Sequence, residues 1–311
     1  MTFALVALTQ ALLVAGAAPV VVGITRAVRA RLEGRGGRRL GQPWRDLRKQ
    51  LRKQPTSPAD ASLFFVAAPP VLMSTSLIIA AAAPFIAIRP VPGGADLIVV
   101  AGLLLLGTVA LALAGLDTGT AFGGMGASRE ITVLALVEPT ILVAVFALSA
   151  RVGSTNLAAI VTATQHDPLR VASPASLLAA AALAIVVVAE TGRLPVDNPA
   201  THLELTMIHE AMVLEYAGPD LALVELAAAM RLTILLGLLG SLFAPWGIAG
   251  SAVVGLPLAL IAFAGKVTAL GAGLGAGEVF IAKLRLFRVP ELLAGSFVLA
   301  LLAVASSFFL A

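Results

Sequence analysis

Residues 190–225 hold seven of the chain's 17 acidic residues and two of its three histidines, between two long apolar stretches. The carboxylates are Glu190, Asp197, Glu204, Glu210, Glu215, Asp220 and Glu225, with Arg193, His202 and His209 among them. A further acid, Glu138, stands alone inside an apolar run with Pro139 beside it. Ionisable groups at membrane depth are costly and mark ion or proton paths. A carboxyl group held away from water changes protonation in response to nearby charge, which suits a proton carrier. Arg129 and Glu130 precede Glu138 at the mouth of the same predicted helix, where Arg129 is placed to pair with an acid of the next polar loop.

Other chemistries find less support. His209-Glu210 lacks the second histidine of HExxH, and His202 and His209 stand seven residues apart, about 10 Å along a helix. No metal site is expected, and none of the arrangements used for nucleophilic catalysis or phosphate cradling is visible. With no cysteine, the chain cannot itself hold an iron–sulfur cluster or Cys-ligated zinc.

The elements that position these residues follow from hydropathy. The 311 residues are 59% hydrophobic and 12% charged, against about 25% charged in a soluble domain. That is too little polar surface for a water-soluble globule. The expected fold is all-α, a polytopic bundle forming a single integral membrane domain over 1–311. Apolar stretches of about 20 residues fall at 2–24, 61–88, 97–116, 131–150, 172–190, 226–244, 248–274 and 291–311. The first has no basic n-region and reads as a retained span. Eight spans are expected, or seven if the Pro245-Trp246-Gly247 break does not separate the sixth from the seventh.

Eleven of the 21 Lys and Arg residues lie between Arg26 and Lys53. The aromatic interleaving of a nucleic-acid surface is missing, so no nucleic-acid partner is expected. Placing that loop inside, by the positive-inside rule, puts both termini outside and the loops 25–60, 117–130, 191–225 and 275–290 in the cytoplasm. Counting Arg231 and Lys266 as helix-end residues, eighteen Lys/Arg are then inside; Arg89, Arg151 and Arg170 are outside. The polar stretch 191–225 becomes a cytoplasmic junction loop.

In the basic loop, Trp44, Leu47 and Leu51 share a helical face with cations around them, the pattern of an amphipathic helix on anionic lipids. In the junction loop, Asp197 or Asn198 with Pro199 reads as a helix start. That helix is expected to run to Tyr216 and end at Gly218-Pro219, with a second starting near Asp220. Gly271, Gly273, Gly275 and Gly277, and the run Gly123-Gly124-Met125-Gly126 of the second inner loop, read as flexible or closely packed helix ends.

Ala189-Glu190, then Arg193-Leu194-Pro195-Val196-Asp197-Asn198-Pro199-Ala200-Thr201-His202-Leu203-Glu204-Leu205-Thr206-Met207 and Glu215-Tyr216-Ala217-Gly218, resemble a motif of the complex I subunit 1 family. The likeness is greatest to its hydrogenase branch, the formate hydrogenlyase subunit 4 type of group 4 membrane-bound [NiFe] hydrogenases. It extends to Gln42-Pro43-Trp44-Arg45-Asp46-Leu47 with Lys53, and to Arg129 and Glu138. The eight-span topology also fits.

The resemblance implies a membrane-arm subunit of a bacterial or archaeal cytoplasmic (inner) membrane complex, without cofactor chemistry of its own. Its implied partners are [NiFe] hydrogenase large and small subunits, which carry the iron–sulfur clusters and the [NiFe] site, and antiporter-like membrane subunits. Glu138, Glu190, Arg193, Asp197, Glu204, Glu210, Glu215 and Glu225 become candidates for a proton or cation path. Arg129, Glu130, His202, His209 and Asp46 become candidates for the junction with the peripheral arm. Quinone-reducing members resemble D-x-P-E-A-E-x-E-L where this chain has Ala200 and His202 in place of two acids, which argues against quinone. A quinone-reactive subunit of the complex I type is the first rival reading. An independent secondary transporter is the second, though no internal repeat is visible.

Overall fold

A computed structural model describes residues 2–36, 39–58, 61–91, 93, 95–197, 207–250, 255–282, 284–285 and 288–309. Among them are eleven α-helices, no named strand and two isolated β-bridges. Seven helices are long and apolar enough to cross a membrane: α1 (Thr2–Leu32), α3 (Leu63–Ala82), α4 (Leu97–Asp117), α5 (Ala121–Ala150), α9 (Gly218–Phe243), α10 (Leu256–Phe280) and α11 (Val289–Phe309). An eighth apolar helix, α7 (Pro174–Glu190), has 17 residues. The shorter helices are α2 (Gln42–Gln50), α6 (Leu157–His166) and α8 (His209–Val213). The protein is an all-α integral membrane bundle.

The chain alternates between two ends of this bundle. One end carries α2, α8 and most of the acids. The other is tied by the bridges Asp96–Asn156 and Ala87–Ala249. At that second end Gln10 of α1 is fully engaged. Its amide donates to the carbonyls of Ala80 (2.7 Å) and Ala83 (2.8 Å) and accepts from the backbone N–H of Ile86 and Ala87. One buried side chain thus satisfies the Ala80 carbonyl at the end of α3 and adds a second donor to the Ala83 carbonyl, which also accepts from the Phe85 N–H. At the polar end, Asp117 closes α4 and accepts from Ser62 N, Ser62 Oγ and Phe65 N, capping α3.

Several expectations shift in detail. The chain between the sixth and seventh spans is helix-free from 244 to 250, so they are two helices. α5 begins ten residues before its expected start, so the second inner loop shrinks and Gly123 to Gly126 lie within the helix. There a Gly126 side chain would begin 2.9 Å from the carbonyl of Ile208, so the glycine lets the α8 region approach. Arg231 is the fourteenth of 26 residues in α9, and Lys266 the eleventh of 25 in α10, so neither is a helix-end residue. α6, capped by Asn156, replaces an expected loop. In α2 the amphipathic face divides: Leu47 is buried in the bundle, while Trp44 and Leu51 are exposed.

Gly271 and Gly275 lie inside α10, not at a loose end. A side chain at Gly275 would begin 2.5 Å from the carbonyl oxygen of Thr25, so α10 and α1 are in backbone contact there.

Candidate functional site

The junction loop is not the continuous helix expected from its cap pattern. Residues 198–206, with His202, Glu204 and Ala200, lie outside the described residues. On their far side only the five-residue α8 is helical before Gly218. The reason is in Asp197. Its buried Oδ2 accepts from the backbone N–H of both Ile208 and His209, each at 3.3 Å, so this side chain pins the return of the loop. Gly218 does not end a helix but begins α9, with φ +64 and Pro219 in the first turn.

Glu190, the last residue of α7, is ion-paired with Arg231, halfway along α9, and both side chains are largely buried. Glu190 also accepts from Thr108 Oγ1 of α4 at 3.3 Å, and Arg231 donates to the carbonyl of Leu104 at 2.9 Å. Three helices are therefore joined at one buried charge pair. The Nε of Arg231 is buried with no hydrogen-bond partner among the described residues.

A second network stands beside it. Arg193 Nη1 lies 3.1 Å from Glu278 Oε1, and Arg29 Nη1 lies 3.3 Å from Glu278 Oε2. Arg29 also binds Glu33 at 2.9 Å, and Arg35 pairs with Glu33. Glu278 is buried and ties α1 and the junction loop to α10.

The two networks border two cavities. The larger, about 690 Å³, is lined by charged groups of the polar end, including Arg29, Glu33, Asp46, Arg193, Glu210, Glu225 and Glu278. The smaller, about 90 Å³, is lined by Glu130, Glu190, Thr108 and Arg231 with apolar residues of α3, α4 and α9. The linings share Thr191, His209, Val224 and Ala228.

The candidate residues thus separate into groups. Arg193, Asp197, His209, Glu210, Glu225 and Asp46 come together around the larger cavity, and Glu130 and Glu190 around the smaller. Glu138 is buried in α5 and lines neither, and its Oε1 has no hydrogen-bond partner among the described residues. Glu215 is exposed and lines neither cavity. Arg129 does not meet an acid in the bond the structure shows; its Nη1 donates to the carbonyl of Met207 at 2.9 Å. That carbonyl lies next to Ile208, whose backbone N–H binds Asp197.

Tyr216 stacks on Phe65 with ring centroids 4.1 Å apart and donates to the Phe65 carbonyl at 2.7 Å. Burial, then the nearby Asp220 and Asp117 carboxylates, pushes its hydroxyl well above the usual tyrosine range. Burial lowers the pKa of His209, against the opposing pull of Glu210 and Asp197.

Glu278, Arg29, Glu33, Thr108 and the central role of Arg231 were not singled out from sequence. A signal existed for two of them: Arg231 is a lone cation deep in an apolar helix, and Glu278 is the one acid of α10. Among the described residues no group of three or more His, Asp or Glu side chains is placed to hold a metal ion.

Comparison with known proteins agrees with this architecture. Residues 4–309 match the NADH dehydrogenase family model. Formate hydrogenlyase subunit 4 of Escherichia coli K12 is 33% identical over 305 residues, covering 96% of this chain and 97% of the relative. Hydrogenase-4 component C of the same organism is 36% identical over 245 residues, covering 78% and 75%. A chain of the membrane-bound sulfane sulfur reductase, an archaeal respiratory membrane complex, shares the fold with a TM-score of 0.86 at 20% identity, over 99% of this chain and all of that one. By the match over almost its whole length, the chain belongs to the NADH dehydrogenase family of complex I subunit 1 proteins, and it is similar to these hydrogenase and formate hydrogenlyase components.

Proposed function

We propose that this protein is the membrane-arm subunit of a membrane-bound hydrogenase or formate hydrogenlyase-type complex in a bacterial or archaeal cytoplasmic membrane. It docks a peripheral redox arm on its polar end and provides part of a proton path. In this reading both termini lie outside and the loops 25–60 and 191–225 face the cytoplasm. The observation that carries it is the pair of adjoining cavities, which extend charged groups from the polar end to Arg231 at mid-helix. A buried charge is retained against its desolvation cost where it does work.

The cofactors belong to partner subunits: iron–sulfur clusters and a [NiFe] site on the peripheral arm, with antiporter-like subunits beside this chain in the membrane and anionic lipids under α2. A change of charge at the docked cluster alters the protonation of Glu204, Glu190, Glu225 and Glu138 in turn, and Arg231 and Arg193 tune the acids they face. Identity of 33% over nearly full length to formate hydrogenlyase subunit 4 supports this choice of complex. The test is Glu138→Gln and Glu190→Gln in the assembled complex: redox turnover with a protonophore is expected to persist while coupled proton movement is lost. Normal coupling in both variants would overturn the reading.

The larger cavity favours one other reading, quinone reactivity, because about 690 Å³ can admit a ring headgroup. Quinone-dependent turnover by the purified complex would establish it.

A further inference from the structure

Four residues belong to the linings of both cavities: Thr191, His209, Val224 and Ala228. Val224 and Ala228 have no proton to exchange. The Thr191 hydroxyl donates to the carbonyl of Val187 at 2.6 Å, as a helix-end hydroxyl commonly does. His209 is therefore the one titratable side chain at the seam.

Its backbone is held in place from two sides. Asp197 accepts from its N–H at 3.3 Å. Its Cβ lies 3.7 Å from where a side chain at Gly192 would begin, so the residue packs at its Cβ against the turn that follows Glu190.

Resting on the proton-path reading above, we infer that His209 relays protons between the two cavities. In that step a carboxylic acid of the larger cavity gives its proton to one ring nitrogen. The other nitrogen gives its proton to a carboxylate of the smaller cavity. Net charge on the ring is unchanged, one carboxyl group has lost a proton and another has gained one. The ring is left as the other tautomer and returns by rotation or proton exchange. Imidazole is suited to this because its two nitrogens can face different sides and its ordinary titration lies near neutrality.

The charged groups around His209 set the direction of the device. Glu210 from its own helix, Asp197 from the loop after α7 and Arg231 from α9 act on it electrostatically, while Glu225 shares the larger cavity with it and Glu130 and Glu190 share the smaller. Burial and Arg231 favour the neutral ring, which is the form that can accept a proton; Glu210 and Asp197 moderate the effect. The balance is tilted toward the neutral ring.

The test uses the complete complex in proteoliposomes, with proton movement driven by its own redox turnover. His209→Gln, which keeps size and hydrogen bonding but does not titrate, is expected to lower coupled proton movement on the order of 100-fold, with protonophore-uncoupled turnover retained. In the wild type, coupled movement falls as pH drops through the lowered His209 pKa; His209→Gln loses that acid limb. Added imidazole restores part of the coupling in His209→Ala. Wild-type coupling in His209→Gln, while Glu138→Gln and Glu190→Gln lose it, overturns the relay and leaves the path reading intact. Wild-type coupling in all three overturns both. A loss in His209→Gln with an unchanged acid limb and no imidazole rescue of His209→Ala also overturns the relay, because that is the behaviour of a merely structural side chain.

Discussion

Glu190 and Arg231 form an ion pair between the last residue of α7 and the middle of α9, and Thr108 of α4 bonds the same carboxylate. Such a pair contributes little relative to well-packed apolar side chains, but removing one partner strands a buried charge, at about 3–5 kcal/mol. Arg231→Met is therefore expected to lower the thermal stability of the subunit sharply. Arg231→Met with Glu190→Gln should recover most of the loss, and a double-mutant cycle on the midpoint measures the coupling. Additive losses would show that the pair does not act as a unit.

Glu278 bridges Arg193 and Arg29. Glu278→Gln weakens two charge-assisted bonds, each worth about 1.5–3 kcal/mol. The expected outcome is faster limited proteolysis within the junction loop, since Arg193 then loses its anchor on α10. Unchanged cleavage would mean that the Asp197 bonds alone hold the loop.

Neighbouring glycines of α10 should respond oppositely. Gly275→Val meets the Thr25 carbonyl and is expected to cost about 3 kcal/mol or more by forcing α10 away from α1. At Gly273 nothing lies within 4 Å of an added side chain, so Gly273→Ala is expected to be neutral or to stabilise by up to about 1 kcal/mol. Detergent-solubilised melting curves of both variants decide this.

Alkaline pH should weaken the Phe65–Tyr216 contact. The folded protein raises the Tyr216 pKa, so above about pH 10 the unfolded chain gives up a proton that the folded chain keeps. Stability is full below that value and falls as pH rises toward the folded pKa. Tyr216→Phe should lose about 1 kcal/mol at neutral pH, from the buried Phe65 carbonyl left without its donor, and should show a flatter alkaline limb.

The sequence also contains no cysteine, so single cysteines report access without background. Leu221→Cys, in the larger cavity, is expected to react with a charged, water-soluble maleimide applied from the side of the polar end. Ser76→Cys, in the smaller one, is expected to resist it. Equal labelling would mean that water passes freely beyond His209.

Spans were legible because a lipid-facing helix must be apolar over about 20 residues, a local requirement. The amphipathic α2 was legible for the same reason, through Trp44, Leu47 and Leu51. The junction loop was misread where a side chain overruled local preference. Asp197 looked like the cap of a long helix, yet its carboxylate is used eleven and twelve residues downstream, at Ile208 and His209. Glu278 was missed because its partners stand 249 and 85 residues away, a distance no periodicity spans. Arg231 was assigned to a helix end because a cation within an apolar run has no visible counter-ion until α7 is folded against α9.

The shortness of α7 has an electrical consequence. Its 17 residues rise about 25 Å, less than the roughly 30 Å of a bilayer's hydrocarbon core. Its terminal Glu190 meets Arg231 about 20 Å along α9 from Gly218. With α9 spanning the bilayer, a pair midway along it lies within the thickness across which the membrane potential falls, whichever side the polar end faces. A unit charge crossing the full potential changes in energy by about 2.3 kcal/mol per 100 mV. A charge displaced at the depth of this pair would therefore cross a fraction of that potential, and voltage would act on it directly.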